Sequence, residues 1–169
     1  MNDFESLVEI NVRAPRYFIA RTRGVCRRCN EPTDLFGLAL PAGHETLDVD
    51  EAAEDAAAAD AWIFANDPAL IFHIEFLNAE AAARLASLTG SFRVDRQDLA
   101  ARPAWTNHCV ACGSSFDDEE LFCEPGEPFF PIDEAGAAAI RLLAIDEPFE
   151  AAAGGYSFDP NFIRAMSRE

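Results

Sequence analysis

At 169 residues, half of them apolar, the chain can bury a hydrophobic core without disulfide staples and reads as one domain over 1–169. A formal charge of −17 repels nucleic-acid backbones overall, and neither an 18-residue apolar run nor a basic, apolar leader occurs. These features predict a soluble cytoplasmic protein with no membrane span, in which five cysteines serve metal or thiol chemistry rather than a disulfide framework.

In chain order, residues 17–22 (YFIART) predict a strand into Cys26-Arg-Arg-Cys29, and residues 33–40 (TDLFGLAL) a strand out of it, which places the cysteine pair at a hairpin tip. Charge is uneven here. Residues 10–30 carry six arginines (Arg13, Arg16, Arg21, Arg23, Arg27 and Arg28) and no acid, whereas residues 29–83 carry twelve acids and no arginine. Residues 41–62 set seven acids, from Glu45 to Asp60, among alanines, and read as a solvated helix or a loop ordered on contact. In 68–77 (PALIFHIEFL), Leu70, Phe72, Ile74 and Phe76 alternate with Ile71, His73 and Glu75, the period of a half-buried core strand.

Asn78 suits the N-cap of a helix over 79–88, with Ala81, Leu85 and Leu88 on one face and Gly90 as the stop. Residues 91–96 (SFRVDR) predict a strand, and AWTNHC leads to the second pair, Cys109 and Cys112. Residues 121–124 and 129–130 read as strands about a Pro125-Gly126 turn, and 133–143 as a helix with Arg141 in its last turn. In the tail, Phe158, Phe162 and Ile163 predict a short strand and helix that pack back.

The two cysteine pairs share one form, C-x-x-C followed by a residue that tolerates positive φ, Asn30 in one and Gly113 in the other. Two such units point to a tetrahedral site built from Cys26, Cys29, Cys109 and Cys112, with structural Zn²⁺ as the expected ion. The 79 residues between Cys29 and Cys109 add about 1.4 kcal/mol of closure entropy over a compact ribbon, against roughly 10 kcal/mol or more from structural zinc. A redox role for CRRC would draw on the arginines to lower the thiol pKa, but no thioredoxin-like βαβ pattern surrounds the motif. His108 and Cys123 are alternative ligands. His108, next to Cys109 on an extended segment, is expected at the surface or on a backbone carbonyl, and Cys123 as a small buried side chain. His73 on a polar strand face and His44 in a loop lack an evident acid and nucleophile.

The stretch WTNHCVACGSSFDDEELF resembles a pattern in uncharacterised bacterial proteins, with an aromatic residue, Asn and His before C-x-x-C-G. With the earlier CRRCNEPTDLFGLAL it is similar to a split zinc ribbon over 17–40 and 104–131. The resemblance implies a ribbon and zinc on the four cysteines, without specifying an activity. The fold expected is α+β: ribbon-like β-hairpins joined to a small antiparallel sheet with two or three helices. A helical and stranded insertion over 41–103 and a helical tail over 132–169 complete it.

Three functions fit. A non-enzymatic, zinc-stabilised acidic binding protein would neutralise or regulate a basic protein partner, as an immunity protein or inhibitor does, through its acid runs including Asp117, Asp118, Glu119 and Glu120. A nucleic-acid-binding ribbon would use the arginine arm, with Arg27 and Arg28 at the knuckle tip; those arginines could instead pair with the chain's own acids. An enzyme would need a site beyond FDDEELF, whose consecutive acids read as a solvated edge, and no phosphate loop, G-x-S-x-G or H-E-x-x-H is present.

Overall fold

The computed structural model describes residues 8–49, 60–96, 98–157 and 160–169. It is a mixed α+β fold around a nine-stranded sheet, where a small one was expected. In chain order the elements are β1 (Val12–Ala14), β2 (Tyr17–Val25), β3 (Pro32–Leu40), β4 (Glu45–Val49), β5 (Asp60–Phe64), β6 (Ala69–Leu77), α1 (Ala79–Leu88), β7 (Phe92–Asp95), β8 (Ala104–Asn107), α2 (Asp118–Cys123), α3 (Glu134–Ala138), β9 (Arg141–Ile145), β10 (Phe149–Ser157), α4 (Pro160–Ala165) and β11 (Ser167–Arg168). The large sheet runs β11-β9-β2-β3-β6-β10-β1-β4-β5, and β7 and β8 form a separate antiparallel pair. Among the described residues all strand pairings are antiparallel except β11 with β9.

Strand alternation sends apolar side chains to both faces, so two cores form. Tyr17, Ile19, Phe36, Leu38, Ile71 and Ile74 pack on one face with Ala81 and Leu85 of α1 and Phe92 of β7. Ala20, Leu35, Leu70 and Phe72 pack on the other with Leu121, Phe122, Phe129, Ile140 and Ile163. Phe122 stacks between Phe72 and Phe129, with ring centroids 5.3 and 4.6 Å away. Gly37 lies under this stack, and a Cβ there would come within 3.1 Å of the Phe122 ring.

The β2–β3 hairpin forms as expected, in register from Phe18 opposite Ala39 to Val25 opposite Pro32, with the first cysteine pair at its tip. The β6 core strand also forms, but its alternation breaks: Ile71 and Ile74 share a face. His73 between them has a left-handed φ of 50°, and the register against β10 slips between Ala152 and Ala153. The cause is a bulge anchored from outside the sheet, since the His73 N–H donates to Asp118 at 2.8 Å.

Other expectations are corrected. Residues 121–123 are helical, and only Glu124, which ends α2, is extended, because Asp117 caps α2 by accepting from the Glu119 N–H and the acids behind it fill a first turn where the helix dipole favours them. Residues 129–130 are turn, not strand. The helix expected over 133–143 is only α3, capped by Asp133, after which the chain becomes β9 with Arg141 on its first residue. At both ends of the acidic stretch the chain is a hairpin, β4 with β5, while residues 50–59 of that expectation lie outside the described residues. The tail is not mainly helical, since β10 pairs with β6 and β1 inside the sheet. Ile163 on α4 packs back as expected, and Phe158 lies outside the described residues. Asn78 precedes α1, but its amide bonds Pro148 and Glu150 instead of capping; Leu88 is exposed, and Thr89 in extended conformation ends the helix ahead of Gly90.

Candidate metal centre

Both C-x-x-C loops close in the same way. The Asn30 N–H donates to the Cys26 carbonyl at 2.8 Å, and the Gly113 N–H to the Cys109 carbonyl at 2.9 Å. Each leading cysteine then donates its own N–H back across the loop, Cys26 to the Glu31 carbonyl at 2.9 Å and Cys109 to the Ser114 carbonyl at 2.8 Å. This turn requires a left-handed residue after the second cysteine, and Asn30 (φ 64°) and Gly113 (φ 77°) supply it.

The loops meet so that Cys26 Sγ lies 3.7 Å from Cys112 Sγ and Cys29 Sγ 3.6 Å from Cys109 Sγ, with no disulfide. All four sulfurs fall within 4.8 Å of one another, close enough to hold a metal ion. A tetrahedral ion with bonds of about 2.3 Å separates its thiolates by about 3.8 Å, so the spacing fits Cys₄ ligation. Cys26 and Cys109 are buried and Cys112 is exposed.

The Ser114 hydroxyl sits 3.3 Å from Cys26 Sγ and 3.2 Å from Cys112 Sγ, and its single proton, donated to either sulfur, favours that thiolate. It is the main cause holding the Cys26 thiol down at about 6, with the Cys29 amide next, and it lowers Cys112 as well. Cys29 is drawn down by the Glu31 amide, but burial and the neighbouring sulfurs outweigh this and push it up to about 12. Four sulfurs this close cannot all ionise without a cation among them.

The second knuckle is tied to β3 by polar groups that sequence reasoning did not assign. The Asn107 side chain, fully buried, accepts from the Phe36 N–H and donates to the Phe36 carbonyl, both at 2.8 Å, so it completes a strand pairing with side-chain atoms. The buried Thr33 hydroxyl accepts from the Val110 N–H at 3.2 Å. His108 is buried rather than at the surface, with Nδ1 3.2 Å from the Ser91 carbonyl, as one of its two expected roles had it, and Nε2 2.7 Å from Asp95 Oδ2. That contact, followed by the Arg96 N–H, holds the Asp95 carboxyl below its usual range. Asn and His before the second pair were visible in the sequence, but their partners are too distant along the chain for local pattern to find.

The expected partner-binding residues separate. Arg27 reaches Glu120 at 3.0 Å and Glu127 at 3.1 Å, which bridges the first knuckle to α2. Arg28 is exposed beside it. Asp117 is spent on the α2 cap, Glu119 lies 3.2 Å from His73 Nε2, and Asp118 is buried beneath the His73 amide, so FDDEELF is not a uniformly solvated edge. Cys123 is exposed, contrary to expectation. His44 is in a loop but fully buried, with Nδ1 2.7 Å from the Pro41 carbonyl. No described helix is long and apolar enough to cross a membrane. No family model, no curated protein and no solved structure matches this chain.

Proposed function

We propose that the four cysteines hold one structural Zn²⁺ in a split zinc ribbon, and that the protein is a non-enzymatic binding module for a basic protein partner, which it neutralises or regulates. Four thiolates would fill the zinc's coordination shell and leave no position for a substrate. The ion would join the tip of the β2–β3 hairpin to the loop after β8, segments 79 residues apart between Cys29 and Cys109. Its chemistry is cross-linking and charge compensation of the thiolates.

The observation that carries the partner reading is where the positive charge goes. Arg13, Arg21, Arg23, Arg27, Arg84, Arg102 and Arg141 each face a carboxylate of the same chain. In a protein of charge −17 this leaves exposed acids such as Glu31, Glu124, Glu134, Asp146 and Glu150, which make no ion pair among the described residues, to dominate the outer field. The same pairing involves four of the six arm arginines, which favours a protein partner over an oligonucleotide.

The test is affinity capture on the immobilised zinc-loaded chain, with a salt gradient for elution. The expected result is a basic protein that rebinds the purified chain with an affinity falling as salt rises. Retention of nucleic acid alone, or a partner indifferent to salt, would contradict the proposal.

A further inference from the structure

We infer that residues 22–25 of β2 form a docking notch for an extended acidic peptide, which adds to the large sheet as a short extra strand. This surface is separate from the acidic field invoked above and does not depend on it.

The notch arises from unequal pairing. On one side β3 accompanies β2 as far as Val25, but on the other β9 accompanies it only as far as Arg21, opposite Arg141. The chain reaches that point from α3, through buried Ile140, so β9 begins four residues short of the end of β2. Among the described residues no backbone hydrogen bond reaches residues 22–25 from the β9 side. Four residues of strand span about 13 Å, enough for a peptide to register its own backbone against them. Arg23 and Val25 are exposed, whereas Thr22 is buried and its hydroxyl donates to the Ala139 carbonyl at 3.5 Å, so the approach is from the Arg23 and Val25 side.

A cleft flanks each end of the notch. One, of about 370 Å³, is lined by Arg21, Thr22, Arg23, Asp34, Ala139 and Arg141; the other, of about 250 Å³ beyond Gly24 and Val25, sets Arg27 and Arg28 among Asp117, Glu120 and Glu127, so positive charge is in excess only at the Arg141 end. Arg21 and Arg141 oppose one another across the β2–β9 pair, an arrangement of like charges that disfavours a sheet. Their counter-charge is thin. Asp34 is shared between Arg21 at 2.8 Å and Arg23 at 3.5 Å, while Arg141 reaches Glu169 only at 3.9 Å. Three guanidiniums against two carboxylates make a positive corner in an acidic molecule. That corner repels the same notch of a second copy and admits a strand that carries acids. A nucleic acid, with its regular run of phosphates, would meet the −17 body beyond the corner.

The probe is a fluorescent synthetic peptide of four Glu-Val repeats, with its Lys-Val counterpart and an oligothymidylate as controls, titrated into the full zinc-loaded chain. Amide hydrogen exchange is followed in parallel. The proposal expects the acidic peptide to bind best, amides within residues 22–25 to gain protection, and Arg141→Ala to weaken binding by about fivefold or more, with melting temperature as the check on folding. Thr22→Pro, which alters the edge without changing charge, should also weaken it. The proposal is overturned if the acidic peptide does not bind, or if either control binds as well. Binding without protection of 22–25, or a self-associated chain already protected there, would overturn it too.

Discussion

Three polar side chains have separable roles, two at the metal centre and one beneath the β6 bulge. Ser114 is the one hydroxyl between two of the sulfurs, so Ser114→Ala should leave the fold in place but weaken zinc binding by about 10-fold or more, measured by competition with a chromogenic chelator. An unchanged affinity would remove Ser114 from the account. Asp118 is the second. Burial raises its carboxyl, and the His73 N–H only partly draws it back. A folded pKa above the unfolded value means that the stability tied to its proton is complete below about pH 4 and is lost as pH rises through the folded pKa. Asp118→Asn keeps an oxygen for the His73 amide and abolishes the titration. Its melting temperature relative to the parent should therefore rise between about pH 4.5 and about pH 7.5, and a constant difference would contradict the assignment. The third is Asn107, and it marks the limit of local pattern. Asn30 and Gly113 could be chosen from the sequence because their requirement is local, a left-handed turn one residue past a cysteine. Asn107 could not, because its two partners belong to Phe36, 71 residues earlier.

Elements were legible where their apolar period was uninterrupted and their ends were local. The β2–β3 hairpin meets that condition; α1 was legible from its period, while its ends were not, since Asn78 bonds Pro148 and Glu150 and Thr89 ends the helix. Two elements were misread: residues 118–123 are a short helix chosen by its capping acid Asp117, where a short apolar run beside a turn reads equally well as a strand, and the helix expected over 133–143 stops at Ala138 because the chain beyond joins the sheet as β9. In β6 the alternating pattern was real, but His73 adopts φ 50° and turns the following residues to the opposite face. Glycine accepts that conformation, and a β-branched residue resists it. His73→Gly should therefore be close to neutral by denaturant titration, whereas His73→Val should cost about 1–2 kcal/mol more. Equal costs would mean that the bulge relaxes and does not demand its left-handed residue.

At the scale of the molecule, the two cysteine loops lie far apart in sequence and on different strand systems, one at the tip of β2–β3 and one following β8. Asn107, Thr33 and the Arg27 bridges join them without metal, but the four sulfurs face one another and need a cation to do so as thiolates. Charge follows the same division, with arginines held against the chain's own acids and the surplus negative charge left outside. The ligand set was legible because two identical motifs carry it. The nine-stranded sheet was not, because β10 and β1, which pair with each other and enclose much of one core, come from opposite ends of the chain.

The most direct test of the metal centre is native mass spectrometry with elemental analysis of the purified full chain, joined to a thermal melt before and after chelation. One zinc per chain is expected, with a marked fall in melting temperature once it is removed. A chain isolated without metal from zinc-replete medium, or one whose melting temperature is unchanged on stripping, would contradict a structural zinc at Cys26, Cys29, Cys109 and Cys112.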